Sequence, residues 1–317
     1  MTALDPDVAA YLAGRGETWV PMHVAGIEAS RAALAALPRR EGPAMHHVED
    51  RVVDGPHGPL RLRVYRPSAE PGLPAIAYFH GGGMVIGSID DFDVLARLLA
   101  EASGAVVVSV DYRLAPEHVY PVATEEAYFA VQWLAGAAAE LGVDAGRIAV
   151  AGDSAGATLA AGVALRTRDE GGTPLVFQLH LYAGIDRDDT RPSVREHADG
   201  PIITAGDFAW ATSLYLGPDP ERDHPYGVPT LARDLSGLAD AIVVTASHDP
   251  ARDGAEEYGE RMRAAGTQVA LLRYPGVAHG FLMHADRHER ARLALAEIGG
   301  LVRAKLTARA GSRTTRR

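Results

Sequence analysis

The chain has 317 residues, 47% of them hydrophobic, enough to bury the core of one large domain or two modest ones. Its 31 Lys and Arg stand against 41 Asp and Glu, a formal net charge of −10, which argues against the basic face of a nucleic-acid-binding protein. It contains no cysteine, so disulfides, thiolate metal sites and cysteine nucleophiles are excluded.

The opening "MTALDPDVAAYLAGRGETWV" lacks a basic segment followed by an apolar one and does not read as a secretory leader. No apolar run approaches the roughly 18 residues of a bilayer span. The expectation is a soluble, cytoplasmic protein with no nucleic-acid partner; a homodimer is left open. "DPDVAAYLAGRG" predicts a helix with Asp5 as cap and Pro6 at its first position. "GIEASRAALAALPRR" predicts a second, with Ile27, Leu34 and Leu37 near one face and a stop at Pro38. "HHVEDRVV" and "GPLRLRVYRP" alternate apolar and polar residues, as half-buried antiparallel strands do. Buried strands then alternate with helices. Strands are expected at 74–79, 105–112, 147–152, 174–182, 241–247 and 268–274, and helices at 92–103, 123–141, 154–169, 252–265 and 287–306. This is the pattern of a mostly parallel sheet covered on both faces, an α/β fold.

Residues 186–227 interrupt the alternation. They carry a helix capped by Thr204, with Ile202, Phe208, Trp210 and Leu214 as apolar residues. A connection this long is usually functional. Together with the N-terminal helices of residues 1–42, including Trp19, it is expected to form a cap that sets substrate size. Residues 43–185 and 228–306 form the core, and 307–317, basic and without periodicity, a disordered tail.

Three fragments fall at the carboxyl ends of predicted parallel strands, where sheet ligands bind. "GDSAG", Gly152 to Gly156, fits a nucleophile elbow, in which small flanking residues allow a sharp turn to project a serine; an ordinary helix start capped by Asp153 or Ser154 is the plainer reading of that fragment alone. "HGGG", His80 to Gly83, lets backbone N–H groups approach an oxyanion closely, with His80 as a structural residue that fixes the loop. "SHDPARD" and "GVAHGF" supply a carboxylate and a histidine. A serine hydroxyl needs such a base, and the base needs a carboxylate to fix its tautomer. Ser154, Asp249 and His279 follow the order serine, acid, histidine.

"HGGG", "YRLAPEH" (112–118), "GDSAG", "DPARD" (249–253) and "HGF" (279–281), in this order across about residues 45–300, resemble the bacterial hormone-sensitive lipase family of esterases. The resemblance implies an α/β-hydrolase fold with a helical cap, a nucleophile at Ser154, an acid at Asp249 and a base at His279. It also implies oxyanion donors at the amides of Gly82, Gly83 and Ala155. Two positions depart from the family pattern: Met84 stands where an aromatic is usual, and Ala157–Thr158 where Gly-Asn is common. Both bear on pocket shape, and Met84, Phe208 and Trp210 are the expected substrate contacts.

Among rival residues, Asp253 falls into the following helix and is expected to pair locally. His248 precedes the acid at a strand end and points away. His284 and His288 are expected at the surface, Asp186 in a solvated loop, with support of the triad or substrate binding as its alternative, and Arg113–Glu117 as a salt bridge within "YRLAPEH". No spacing matches a metal site, and the glycines at 81–83 fit neither a P-loop nor a dinucleotide motif, so no cofactor or metal is expected. The reading is a serine carboxylesterase acting on small-molecule esters with short to medium acyl chains. Lactone, carbamate or amide hydrolysis by the same site stays open. So does a non-catalytic receptor like the plant gibberellin receptor, which lacks the histidine present here.

Overall fold

A computed structural model describes residues 3–14, 20–219 and 222–307. The helix α1 (Pro6–Gly14), the short α2 (Met22–Ala25) and α3 (Ile27–Ala35) precede the sheet. Eight strands follow: β1 (His47–Gly55), β2 (Gly58–Arg66), β3 (Leu73–Phe79), β4 (Val106–Val110), β5 (Val143–Asp153), β6 (Phe177–Leu181), β7 (Asp240–His248) and β8 (Val269–Ala278). They form one sheet in the order β1-β2-β4-β3-β5-β6-β7-β8, antiparallel at β1/β2 and β2/β4 and parallel elsewhere.

The crossovers are α4 (Asp93–Ser103), α5 (Val122–Gly136), α6 (Ala155–Glu170) and α9 (Arg252–Ala264), and α10 (Glu289–Leu306) closes the fold. The connection from β6 to β7 contains α7 (Pro192–Glu196) and α8 (Ala205–Leu216). Strand alternation sorts the core into two layers. Ile76 and Tyr78 point to the α4/α10 face, and Ala75, Ala77 and Phe79 to the α5/α6 face. The chain leaves β3 toward β4 on one side and returns to β5 on the other. That reversal opens a crevice at the carboxyl ends of β3 and β5.

The α/β reading holds, with local corrections. β5 begins at Val143 rather than 147, because the strand pairs with Leu73 before a register shift reaches Ala75. α5 ends at Gly136, and 137–141 turn instead of continuing the helix. α3 ends at Ala35, and Leu37 is 61% exposed beyond it. Arg113 does not pair with Glu117. It joins Glu126, a fully buried carboxylate that also accepts the Arg113 amide at 2.7 Å, because a buried charge needs a partner. Glu117 pairs with Arg31 of α3 at 2.7 Å. His284 and His288 are not surface groups. Tyr11 of α1 packs over both, with ring centroids 4.6 and 5.7 Å away, and His288 is buried. Among the described residues no helix is long and apolar enough to cross a membrane. Trp19 and residues 308–317 lie outside the described residues.

Candidate active site

Ser154 sits between β5 and α6 with φ 52° and ψ −120°, a conformation unfavourable for a residue with a side chain. Its neighbours compel it. A Cβ on Gly156 would lie 1.9 Å from Phe79 O, and one on Gly152 would lie 2.1 Å from Gly156 O. Only glycine on either side lets the turn close this tightly against β3. The Ser154 amide donates to Leu181 O at 2.8 Å, which anchors the turn to β6 as well.

Three side chains from three strand ends meet here. The Ser154 Oγ to His279 Nε2 distance is 2.8 Å, and His279 Nδ1 lies 2.8 Å from Asp249 Oδ2. A carboxylate only accepts, so Nδ1 carries the imidazole proton and Nε2 is left to accept the serine hydroxyl. Asp249 is fully buried, and its Oδ1 accepts the Ala251 amide at 2.8 Å. Tyr182 and Phe208 flank the imidazole edge-on, at 5.2 and 5.3 Å between centroids.

The glycine loop after β3 faces this row. Gly82 has φ 107° and Gly83 φ 66°. A Cβ on Gly82 would lie 2.1 Å from Ile86 O. The amides of Gly82, Gly83 and Ala155 donate to no acceptor among the described residues. His80 is buried between the rings of Phe92 and Tyr112, and burial lowers its pKa, so the neutral ring donates from Nδ1 to Gly81 O at 2.7 Å. It fixes the loop, as expected.

A cavity of about 40 Å³ opens over Ser154, with Met84, Ile203, Phe208, Ala211, Tyr215 and Val228 in its wall. Phe208 also borders a neighbouring cavity of about 200 Å³, whose wall includes Asp186, Arg191 and Val194. Thr204 caps α8 through a reciprocal pair with Asp207, and Asp207 also accepts the His23 amide at 2.9 Å. Arg31 Nε donates to Val85 O at 2.8 Å, behind the glycine loop.

The expected site residues are thus brought together, except Trp210, which lines neither cavity and packs toward the α5/α6 layer. His248 turns away, with Ser247 Oγ 2.9 Å from its Nδ1 and the His197 ring 5.4 Å off. Asp253 pairs with Arg252 at 2.8 Å and accepts the Ser193 amide. Asp186 is not a solvated carboxylate: it pairs with Arg191 and accepts Thr230 Oγ1 at 2.9 Å. Sequence reasoning weighed Asp153 only as a helix cap. It is buried beside Ser154, and its Oδ1 accepts the Tyr78 hydroxyl at 2.6 Å. A charged residue inside an otherwise apolar strand end was the available signal.

A family model for the alpha/beta hydrolase fold matches residues 76–283. Esterase LipI of Mycobacterium tuberculosis is 43% identical over 264 residues, 82% of each chain. Ethyl acetate hydrolase of Pseudomonas putida is 36% identical over 91% of this chain and 95% of its own. The solved esterase of Pyrobaculum calidifontis superposes with a TM-score of 0.87 at 38% identity, covering 96% of this chain and 100% of its own. With the fold, the motif order and these likenesses together, the chain belongs to the α/β-hydrolase family, in its hormone-sensitive lipase branch of carboxylic ester hydrolases.

Proposed function

We propose that this chain hydrolyses carboxylic esters of short acyl acids through an acyl-enzyme on Ser154. The carrying observation is the row Ser154–His279–Asp249, with Ser154, Ala155 and Gly83 sharing the wall of a cavity of about 40 Å³ and the amides of Gly82, Gly83 and Ala155 donating to no acceptor among the described residues. His279 Nε2 takes the hydroxyl proton as Oγ attacks the ester carbonyl. The carbonyl oxygen, now an anion, receives the amides of Gly82, Gly83 and Ala155. Asp249 stabilises the imidazolium. His279 then protonates the departing alcohol, and a water activated by the same imidazole releases the acid.

The small cavity and its apolar wall favour acyl groups of a few carbons. The likeness to an ethyl acetate hydrolase points the same way. Phe208 stands between this cavity and the larger one, so its side chain limits chain length. The N-terminal helices and the 186–227 connection act as one cap. The His23–Asp207 link and the reach of Arg31 to Val85 O support that reading. Activated esters from acetyl to dodecanoyl, assayed beside a lactone and an amide, test it. Turnover is expected to peak at the shortest acyl groups. A peak at dodecanoyl, or faster cleavage of the lactone or amide, would contradict it.

A further inference from the structure

One buried carboxylate beside the nucleophile has no place in the proton relay. Asp153 ends β5 and is 2% exposed. Its Oδ1 accepts the hydroxyl of Tyr78, the residue two before the glycine loop, at 2.6 Å. Its Oδ2 lies against Gly81, where an added Cβ would stand only 2.6 Å away. The Tyr78 hydroxyl of β3 and the close approach of Gly81 in its loop therefore meet on one side chain of the serine-bearing turn.

We infer that Asp153 is a positioning residue that ties the glycine loop to the serine turn, fixing the Gly82 and Gly83 amides relative to Ser154 Oγ. The inference rests on the reading of Ser154 as nucleophile. It explains why a carboxylate is kept in an apolar strand end. An ionised carboxylate presents an acceptor oxygen to Tyr78 and another to Gly81 at once, whereas an asparagine of the same shape accepts with one atom and turns an NH₂ toward the other side. The other titratable groups around it are Tyr112, whose hydroxyl donates to His80 O at 2.7 Å, Tyr182, whose hydroxyl has no partner among the described residues, and His279. Burial pushes the Asp153 pKa up to about 6, against the lowering effect of the Tyr78 hydroxyl, His279 and the Gly81 amide. Asp153 is thus charged at neutral pH and gains a proton just below it.

The test is kcat and KM for an acetyl ester between about pH 5 and about pH 9 in wild type, Asp153→Asn, Tyr78→Phe and Ser154→Ala. Near pH 8, Asp153→Asn is expected to lower kcat about a hundredfold with little change in KM, as for a misplaced oxyanion donor. The pH dependence is read as the ratio of wild-type to Asp153→Asn kcat. That ratio should shrink as pH falls through about 6, because protonation then does to the wild type what the asparagine does. Tyr78→Phe removes a donor that stabilises the charge, so the acid limb should move to higher pH. A wild-type kcat in Asp153→Asn, or a ratio constant with pH, overturns the inference. If Asp153→Asn does not fold, an unmoved acid limb in Tyr78→Phe overturns it alone. Wild-type turnover by Ser154→Ala would overturn the nucleophile reading and this inference together. An inactive Ser154→Ala beside a fully active Asp153→Asn would overturn this inference only.

Discussion

Below the cavity over Ser154, the groups come from the carboxyl rim of the sheet and are locked by backbone. Gly156 lies against Phe79 O, the Ser154 amide reaches Leu181 O, and Asp249 takes the Ala251 amide. Above it, α2, α3 and α8 hold on through polar side chains: His23 to Asp207, and Arg31 to Val85 O and Glu117. In the lower wall a Cβ at Gly152 or Gly156 would collide with backbone, whereas the upper wall borders two cavities through Phe208. The contrast teaches a division of labour. On the proposed function, bond-breaking geometry would sit where backbone packing is tightest, and substrate size would be set where a ring can be exchanged without moving the sheet.

The comparison breaks most directly in the lower wall. His279→Gln is expected to cost at least about 10³-fold in kcat, and His248→Gln to leave activity within about threefold of wild type. Steady-state rates on an acetyl ester check this, and the reverse ranking would move the base to His248. Gly156→Ala is expected to destabilise the fold by about 3 kcal/mol or more, since backbone must move to admit the Cβ. A urea midpoint close to wild type would show that the turn is looser than its contacts imply.

The upper wall should respond differently. Phe208→Ala is expected to raise kcat/KM for octanoyl over acetyl esters by about tenfold while the urea midpoint changes little. Trp210→Ala should keep the wild-type chain-length profile, because it lines neither cavity. Equal profiles for both variants and wild type would remove α8 from substrate selection.

The smallest effect concerns pH and stability. Burial lowers His180 to about 4 and His284 to about 3, below the ordinary histidine value. Above about pH 6.5 these rings are neutral in both folded and unfolded chains. Below it the unfolded chain binds protons that the folded one refuses, so their contribution to stability is lost as pH falls toward 4. The melting temperature should drop between about pH 7 and about pH 5, and His284→Phe should shrink the drop. A variant with the wild-type slope would exclude His284 as a source.

Much of this site is legible in the sequence. Apolar strand runs placed the sheet, and glycines beside Ser154 and before Met84 marked turns that only glycine can close. Chain order then put Asp249 and His279 at neighbouring strand ends. What stayed hidden depends on pairing over distance. The partners of Asp153 are Tyr78 and Gly81, more than seventy positions earlier, and Arg113 finds Glu126 across a helix start rather than Glu117 nearby. Phe208 and Trp210 carry the same apolar signal, but two residues on a helix point roughly 200° apart. Which one meets the site depends on how α8 is rotated by its Thr204 cap and its link to His23, and no local pattern encodes that.

The central claim is that Ser154 forms the covalent intermediate, and an alkyl fluorophosphonate reads it most directly. Intact-mass and peptide analysis after brief exposure should place one adduct on Ser154 in the wild type, with esterase activity lost in step. No adduct should form on Ser154→Ala, and labelling of His279→Gln should be slower by orders of magnitude. Stoichiometric labelling of another residue, or ester turnover that survives complete modification of Ser154, would contradict the account.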